Sequence, residues 1–454
     1  MGERGQWGSR LGFVLAAAGS AIGLGNIWKF PYITGVNGGG LFVLIYLVCI
    51  TGVGLPIMMA EILIGRTAQR SPVGAFRLLS RPGSPWVGVG WLGFAAAFVI
   101  LSYYSVVAGW ALHYSWLSLS GGIAGHSVEE LKPLFGQIYQ DTGLNLFWHV
   151  VFMALTVGIV IGGVRGGVER AARVLMPVLF VMMLALLVYA MTLDGFGQGL
   201  RFVFAPHRES LSSAGVLEAL GHSFFTLSLG MGAMLTYGSY LSPRESVVAT
   251  SAAVTLLDTF IALMACLILF PITFSFGMEP AAGPGLVFTN IPIALSQVPA
   301  GAVWSTVFFL LLVFAALTSA ISLLEVAAAY FIDERGWSRR RAVLLCGAAI
   351  TVFGIPSALS GGTALFGSGV QALTGRNWFD TFDYLASNWM LPLGGLGIAL
   401  FVSWRVGDAA RREALAQGST LGVLKGFYLT WLSLLRYVVP VAIVAIVLHA
   451  IGVL

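Results

Sequence analysis

Residues 11–36 read LGFVLAAAGSAIGLGNIWKFPYITGV, and this stretch decides the fold. It is long enough to cross a bilayer, which takes about 20 predominantly apolar residues. Yet its centre, Gly19-Ser20-Ala21-Ile22-Gly23-Leu24-Gly25-Asn26, puts small residues and an Asn where lipid favours an unbroken apolar helix. Hydrocarbon offers no partner to an open N–H or C=O, so a break there must face protein, water or a ligand. A discontinuous helix near the midplane is the usual ion and substrate site of a secondary transporter.

The rest of the chain agrees. Of its 454 residues 58% are hydrophobic and 9% charged, and mean hydropathy is +0.90. A soluble domain carries about 25% charged residues, so this is a polytopic membrane protein. Its 58 Gly and 17 Pro suit close helix packing and helix breaks within a membrane. Cys49, Cys266 and Cys346 lie in apolar runs and form neither a disulfide framework nor a metal cluster. With no metal motif and no nucleophile–base arrangement, enzyme chemistry has no support. The first segment, broken at its centre and followed by a long apolar run, does not read as a cleavable signal peptide.

Eleven spans are expected, near 10–36, 41–68, 87–119, 145–163, 168–192, 214–240, 246–274, 302–331, 340–358, 381–404 and 429–452. The stretch 283–297, with Pro284 and Pro292, is too short to span and reads as a re-entrant or surface helical hairpin. Residues 356–379 read as the end of span nine and an outer loop. With the N-terminus inside, 18 of the 24 Lys and Arg fall on the inner side. Only Lys132, Arg201, Arg208 and Arg376 fall outside, while Lys29 and Arg436 lie within spans. The bias predicts a cytoplasmic N-terminus and, with eleven spans, an outer C-terminus. The net charge of +5 thus reflects topology, not nucleic acid.

A second interruption stands in the sixth span, at Thr226-Leu227-Ser228-Leu229-Gly230-Met231-Gly232. Corresponding broken segments in two halves of a chain point to the transport site. They suggest two inverted repeats, approximately 10–192 and 214–404, followed by an additional helix at 429–452, all in one transmembrane domain.

Five segments then carry a resemblance: GSAIGLGNIWKFPY (19–32), NGGG (37–40), GLPIMMAEILIGR (54–66), SFFTLSLGMGAMLTYGSY (223–240) and FAALTSAISLLE (314–325). Together and in this order they resemble the neurotransmitter:sodium symporter family, above all its eleven-span bacterial members that carry hydrophobic amino acids. The resemblance implies an all-α fold of two inverted five-helix repeats with broken helices 1 and 6, set in the cell inner membrane. It implies sodium-driven uptake by alternating access, with an amino acid, sodium and the lipid bilayer as partners. A compatible-solute carrier and a non-transporting amino acid sensor are the alternatives.

The resemblance assigns two sodium sites. The first takes Ala21, Asn26, Thr226, Asp258 and the substrate carboxylate. The second takes carbonyls of Gly19, Ile22 and Ala315 with hydroxyls of Thr318 and Ser319. Oxygen donors at unwound backbone suit sodium. Many relatives carry Asn at the position of Asp258. A carboxylate deep in TLLDTFIALM is a functional hypothesis by default. Asp258 is expected to supply the negative charge that chloride supplies in animal relatives, and so to make chloride unnecessary. It is also a candidate sodium ligand, and one for protonation on the return step. Tyr46, His222 and Ser228 occupy the neighbouring chloride-site positions, His222 replacing a residue that is commonly Gln.

The substrate is expected between the two breaks. N–H groups at Leu24 and Gly25 and the Tyr104 hydroxyl would meet its carboxylate. Carbonyls of Ala21, Phe225 and Thr226, with Ser228, would meet its ammonium. Ile100, Phe225, Met231, Ser319 and Leu323 would line the side-chain pocket. None of these is charged, so an apolar tail is favoured, and the adaptable Met231 suggests breadth from aliphatic to aromatic. Gly23 stands where monoamine carriers have Asp, which favours a substrate with its own carboxylate. Lys29 and Asp383, with Asp380 nearby, resemble the outer gate, and Phe225 its lid. Arg4 and Asp333 resemble the inner latch, with Trp7 and Tyr240 beside it. Gly167 and Pro177 resemble a hinge in the fifth span. Glu61 is expected to accept from backbone amides around the first break.

Overall fold

The computed structural model describes residues 5–205, 212–279, 283, 285–418, 425–451 and 453. Among these, every regular element is helical. Nine helices are long and apolar enough to cross a membrane: Gly40–Ala68, Val87–Leu119, Thr142–Ile161, Val164–Met191, Val247–Ser275, Gly301–Arg335, Arg339–Ala358, Trp378–Arg405 and Gly426–Ala450. A pair bent by 49°, Arg10–Ala21 and Gly25–Val36, makes up to ten. The stretch expected as the sixth span is two shorter helices, Ser213–Thr226 and Ala233–Gly238. Each expected span therefore corresponds to one of these helices or helix pairs.

Gly301–Arg335, the eighth span, is largely enclosed and packs along the third, Val87–Leu119. The first span packs against the seventh, the fifth and the eighth. The fifth span, Val164–Met191, and the eleventh, Gly426–Ala450, leave most of their surface outward. An apolar exterior such as Val174, Val181 and Val188 on the fifth span is stable only against lipid.

Widened helical turns mark where prolines act. Turns with π-type bonding cover Gly25–Lys29, Ile50–Gly54, Leu286–Asn290, Ala386–Met390 and Leu434–Val438. Each ends two residues before a proline: Pro31, Pro56, Pro292, Pro392 and Pro440. Proline has no N–H to donate and its ring crowds the carbonyl four residues back. Widening the preceding turn relieves that crowding while the helix continues. Helix starts are closed by side chains that accept from a first-turn amide, among them Ser9, Ser71, Ser246 and Ser338.

One expectation is corrected here. The 283–297 stretch is not a hairpin; it contributes one short helix, Leu286–Ser296. Its apolar face is buried, and Tyr114 donates to the Phe288 carbonyl at 2.7 Å, so side-chain packing and this bond hold it without a second arm. After Ala358 the chain turns and forms only the outlying helix Ser368–Thr374, as expected of a loop. Beyond the tenth span, Asp408 accepts from Tyr428 at 2.5 Å and Arg412 at 2.7 Å. Those donors hold its carboxyl down at about 2.

Candidate functional site: two helix breaks around a buried carboxylate

The first break opens after Ala21. Ile22 is extended, with ψ at 93°, and the second half of the span starts at Gly25. The freed amides find side chains, as buried backbone groups must. Gly23 N–H donates to Asn26 Oδ1 at 3.0 Å, and Leu24 N–H to Tyr104 Oη at 3.1 Å. A Cβ on Gly23 would lie 2.5 Å from Ser319 Oγ and 2.9 Å from Tyr104 Oη. Glycine is therefore required there by close approach.

The second break runs from Leu227 to Gly232. Ser228, Gly230 and Gly232 have φ of +53°, +79° and +75°. A non-glycine residue in that region is uncommon and marks a constrained backbone. Ser228 is held there, its hydroxyl donating to the Ser20 carbonyl of the first break at 2.8 Å. Glu61 accepts from Gly230 N–H at 2.7 Å. This corrects the expectation for Glu61: it serves the second break, because span two packs against Ala233–Gly238.

Asp258, fully buried on the seventh span, lies between the two breaks. Asn26 Nδ2 donates to its Oδ1 at 2.7 Å and to its backbone carbonyl at 3.1 Å. The Thr226 hydroxyl is 3.1 Å from both carboxylate oxygens, and the Tyr46 hydroxyl is 3.5 Å from Oδ2. Three elements, spans one, two and six, thus converge on one carboxylate of a fourth. His222 stacks on Phe30, with ring centroids 5.4 Å apart, and lies 5.7 Å from Tyr46.

Of the residues expected for the second ion site, Gly19, Thr318 and Ser319 come together across the first and eighth spans, while the Thr318 hydroxyl bonds back to its own helix. Ser319 Oγ donates to the Ser20 carbonyl at 3.1 Å and lies 3.5 Å from that of Gly19. Thr318 Oγ1 is 2.9 Å from the Ala315 carbonyl. A Cβ on Gly19 would meet Thr318 Cβ at 3.1 Å and Met176 Sδ, on the fifth span, at 3.0 Å. The first and eighth spans therefore touch through small residues, with the fifth beside them.

Between the breaks lies a cavity of about 20 Å³ without a charged lining residue. Every residue expected to bind substrate lines it except Leu24 and Thr226. Leu24 enters through its bond to Tyr104, and Thr226 faces Asp258. Ser20 lines it too and was missed by sequence reasoning. Its carbonyl accepts from both Ser228 and Ser319, and its hydroxyl is 2.7 Å from that of Ser322. That role belongs to a backbone carbonyl, which the identity of the side chain does not signal.

Phe225 borders this cavity and two larger ones above it, of about 220 and 480 Å³. Its ring is the side chain all three share. Lys29 and Asp383 line both larger cavities but form no ion pair within 4.0 Å. The Lys29 ammonium instead sits 4.6 Å from the Phe225 ring centroid. Asp383 accepts from Tyr103 at 3.0 Å and Ser387 at 3.1 Å.

At the arginine-rich end, Trp7 donates from its ring to the Tyr237 carbonyl at 3.0 Å, and its N–H reaches the Tyr240 carbonyl at 3.2 Å. Asp333 accepts from Ser71 N–H at 2.7 Å; Arg4 lies outside the described residues. Sequence reasoning missed the fully buried Glu325, which accepts from Tyr240 at 2.7 Å and from Arg339 at 3.1 and 2.5 Å. Gly167 lies in the widened turn Val164–Glu169, where a Cβ would collide with the Ile159 carbonyl. Pro177 lies within the helix that follows.

Comparison with known proteins places this geometry. The model of the sodium:neurotransmitter symporter family matches residues 4–131 and 126–453. A Bacillus subtilis protein described as the uncharacterized sodium-dependent transporter YhdH is 40% identical, over 99% of this chain and 98% of its own. A Haemophilus influenzae protein described as an uncharacterized sodium-dependent transporter is 32% identical, over 98% and 97%. The crystal structure of MhsT in complex with L-phenylalanine is 44% identical, with a TM-score of 0.89, covering 99% of this chain and all of that one. Two broken spans around a buried carboxylate, matched along nearly the whole length, are those of a transporter and not an enzyme: the chain belongs to the sodium:neurotransmitter symporter family.

Proposed function

We propose that this protein imports hydrophobic L-amino acids, aliphatic and aromatic, by sodium-coupled symport with alternating access. The uncharged cavity at the junction of the two breaks, beside Asp258 and Asn26, carries this reading. A zwitterionic substrate suits it. The Leu24 N–H and Tyr104 hydroxyl are donors for a carboxylate, and break carbonyls such as Ala21 and Thr226 are acceptors for an ammonium. Burying a charged side chain there without a partner would be costly. The MhsT complex with L-phenylalanine supports an aromatic substrate.

Two sodium ions travel with the substrate in this account. Asn26, Thr226, Asp258 and the Ala21 carbonyl would hold one, with the substrate carboxylate. Gly19, Ile22, Ala315, Thr318 and Ser319 would hold the other. Both sets are oxygen donors, as a hard cation requires. Asp258 brings a fixed negative charge into the first set, so transport needs no chloride. The arginine-rich face is cytoplasmic. Residues 10–192 and 214–404 form the inverted repeats. Phe225, with Lys29 and Asp383 above it, closes the outer route; Asp333 belongs to the inner latch and Gly167 and Pro177 to the hinge.

The test is binding by purified protein across the twenty amino acids, betaine and simple amines, with and without sodium. Sodium-dependent binding of leucine-like and aromatic amino acids is expected. Preferred binding of betaine or an amine would refute the substrate assignment.

A further inference from the structure

A small cavity lined by Ala16, Val168, Ala172, Tyr237, Thr318 and Ile321 lies next to Thr318, between the arginine-rich halves of spans one and five. It adjoins the proposed second sodium site on the arginine-rich side. Immediately beside Val168 and Ala172 in sequence stand Glu169 and Arg173, which no part of the site described above uses.

Glu169 is almost fully buried, and its carboxylate closes the gap between the N-terminal segment and the fifth span. One oxygen accepts from Gly8 N–H at 2.7 Å. The other accepts from Arg173 at 2.6 Å and lies 3.5 Å from Ser9 Oγ. Arg173 also reaches Ser9 Oγ at 2.7 Å, and Arg165 donates to the Gln6 carbonyl at 3.0 Å. Ser9 is the N-cap of the first span, so the start of that span is tied to the fifth. At Gly12 a Cβ would collide with the Glu169 carboxylate. Helix one therefore seats directly on this side chain, and a larger residue at Gly12 would displace the carboxylate.

The clasp has the features of a part that must release. Glu169 ends the widened turn Val164–Glu169, which starts after Gly163 at φ +85° and contains Gly166 and Gly167. Backbone there is easier to rearrange than a regular helix. Its strongest link to the N-terminal segment is a charge-assisted bond to a main-chain amide, stronger than a neutral one yet local. When that bond breaks, both the segment under the bundle and the turn of span five are freed together.

We propose that Glu169 is a positioning residue for transport. It clasps residues 8–12 to the fifth span and keeps the inner route from the second sodium site closed until release. This rests on the transport reading above but adds a residue and a coupling to it.

The experiment uses the full chain with Ala172→Cys in inside-out vesicles, labelled by a membrane-impermeant thiol reagent and corrected for the native cysteines. Glu169→Gln keeps the shape and removes the charge; Gly8→Pro removes the amide that donates to it. Each is expected to raise the labelling rate about tenfold, the scale of one charge-assisted hydrogen bond. Together they are expected to do no more than Gly8→Pro alone, because both act on the same bond: the Gln oxygen still accepts from Gly8 but without the charge. Unchanged labelling in Glu169→Gln, or effects that multiply, would overturn the clasp. Sodium is expected to slow labelling of the parent. If it does not, the second sodium site fails, while the ratio between variants still decides the role of Glu169.

Discussion

Asn26 donates its side-chain amide to Asp258 at 2.7 Å across 232 positions of sequence. The carbonyl of the same side chain accepts from Gly23 N–H at 3.0 Å. One residue therefore fastens the first helix break to itself on one side and to the seventh span on the other. The carboxylate is held by neutral donors, Asn26, Thr226 and Tyr46, and among the described residues no arginine or lysine pairs with it. A cation bound there would complete the charge balance.

The first prediction concerns that charge. Wild-type uptake is expected to be unaffected when chloride is replaced by gluconate. Asp258→Asn removes a full charge from a site of low dielectric, and apparent sodium affinity should fall by at least about tenfold. Restoration of part of the activity by chloride would fit the account; a wild-type protein that needs chloride would not.

Gly23 should tolerate no side chain. Gly23→Ala puts a methyl against Ser319 Oγ and Tyr104 Oη, an overpacking that costs about 1–3 kcal/mol. The unfolding temperature is expected to fall, and substrate binding measured by scintillation proximity to weaken, because the methyl intrudes on the cavity between the breaks. Ser319→Ala in the same chain would relieve the steric part, although it also removes a proposed sodium ligand, so recovery should be partial.

Tyr104→Phe deletes the hydroxyl that meets Leu24 N–H and is proposed to meet the substrate carboxylate. Loss of a hydrogen bond to a charged group is worth about 1.5–3 kcal/mol, so substrate affinity should drop about tenfold to a hundredfold. Equal affinity in the variant would remove Tyr104 from the site.

The buried Glu325–Arg339 pair yields a stability prediction. Glu325→Ala strands the guanidinium of Arg339, whose side chain is 24% exposed, and breaking a buried pair costs about 3 kcal/mol or more. A clear fall in the unfolding temperature of the purified protein is expected. Glu325→Gln should fall less, since the amide still accepts from Tyr240.

Much of this site was visible in sequence because its signals are local. Small residues in the middle of an apolar span betray a break at Gly19–Gly25 and at Gly230–Gly232, and a lone Asp in TLLDTFIALM has few bland explanations. What escaped depends on contacts between distant segments. Ser20 acts through its carbonyl, which no side-chain pattern reports. Glu61 was assigned to the wrong break because both breaks offer free amides and only packing decides between them. Glu169 sits in a charged flank that reads as ordinary membrane surface until the fold buries it, and the partner of Glu325, Arg339, comes from the next helix, so the pair appears only in the fold. Lys29 and Asp383 are close enough to share two cavities, but side-chain rotamers put the ammonium over Phe225.

The most direct test of the central claim is uptake of radiolabelled L-leucine and L-phenylalanine into proteoliposomes with an imposed inward sodium gradient. The account predicts transient accumulation above equilibrium, collapsed by a sodium ionophore and abolished when potassium replaces sodium. Binding without sodium-driven accumulation would contradict symport and leave a sensor built on the same fold.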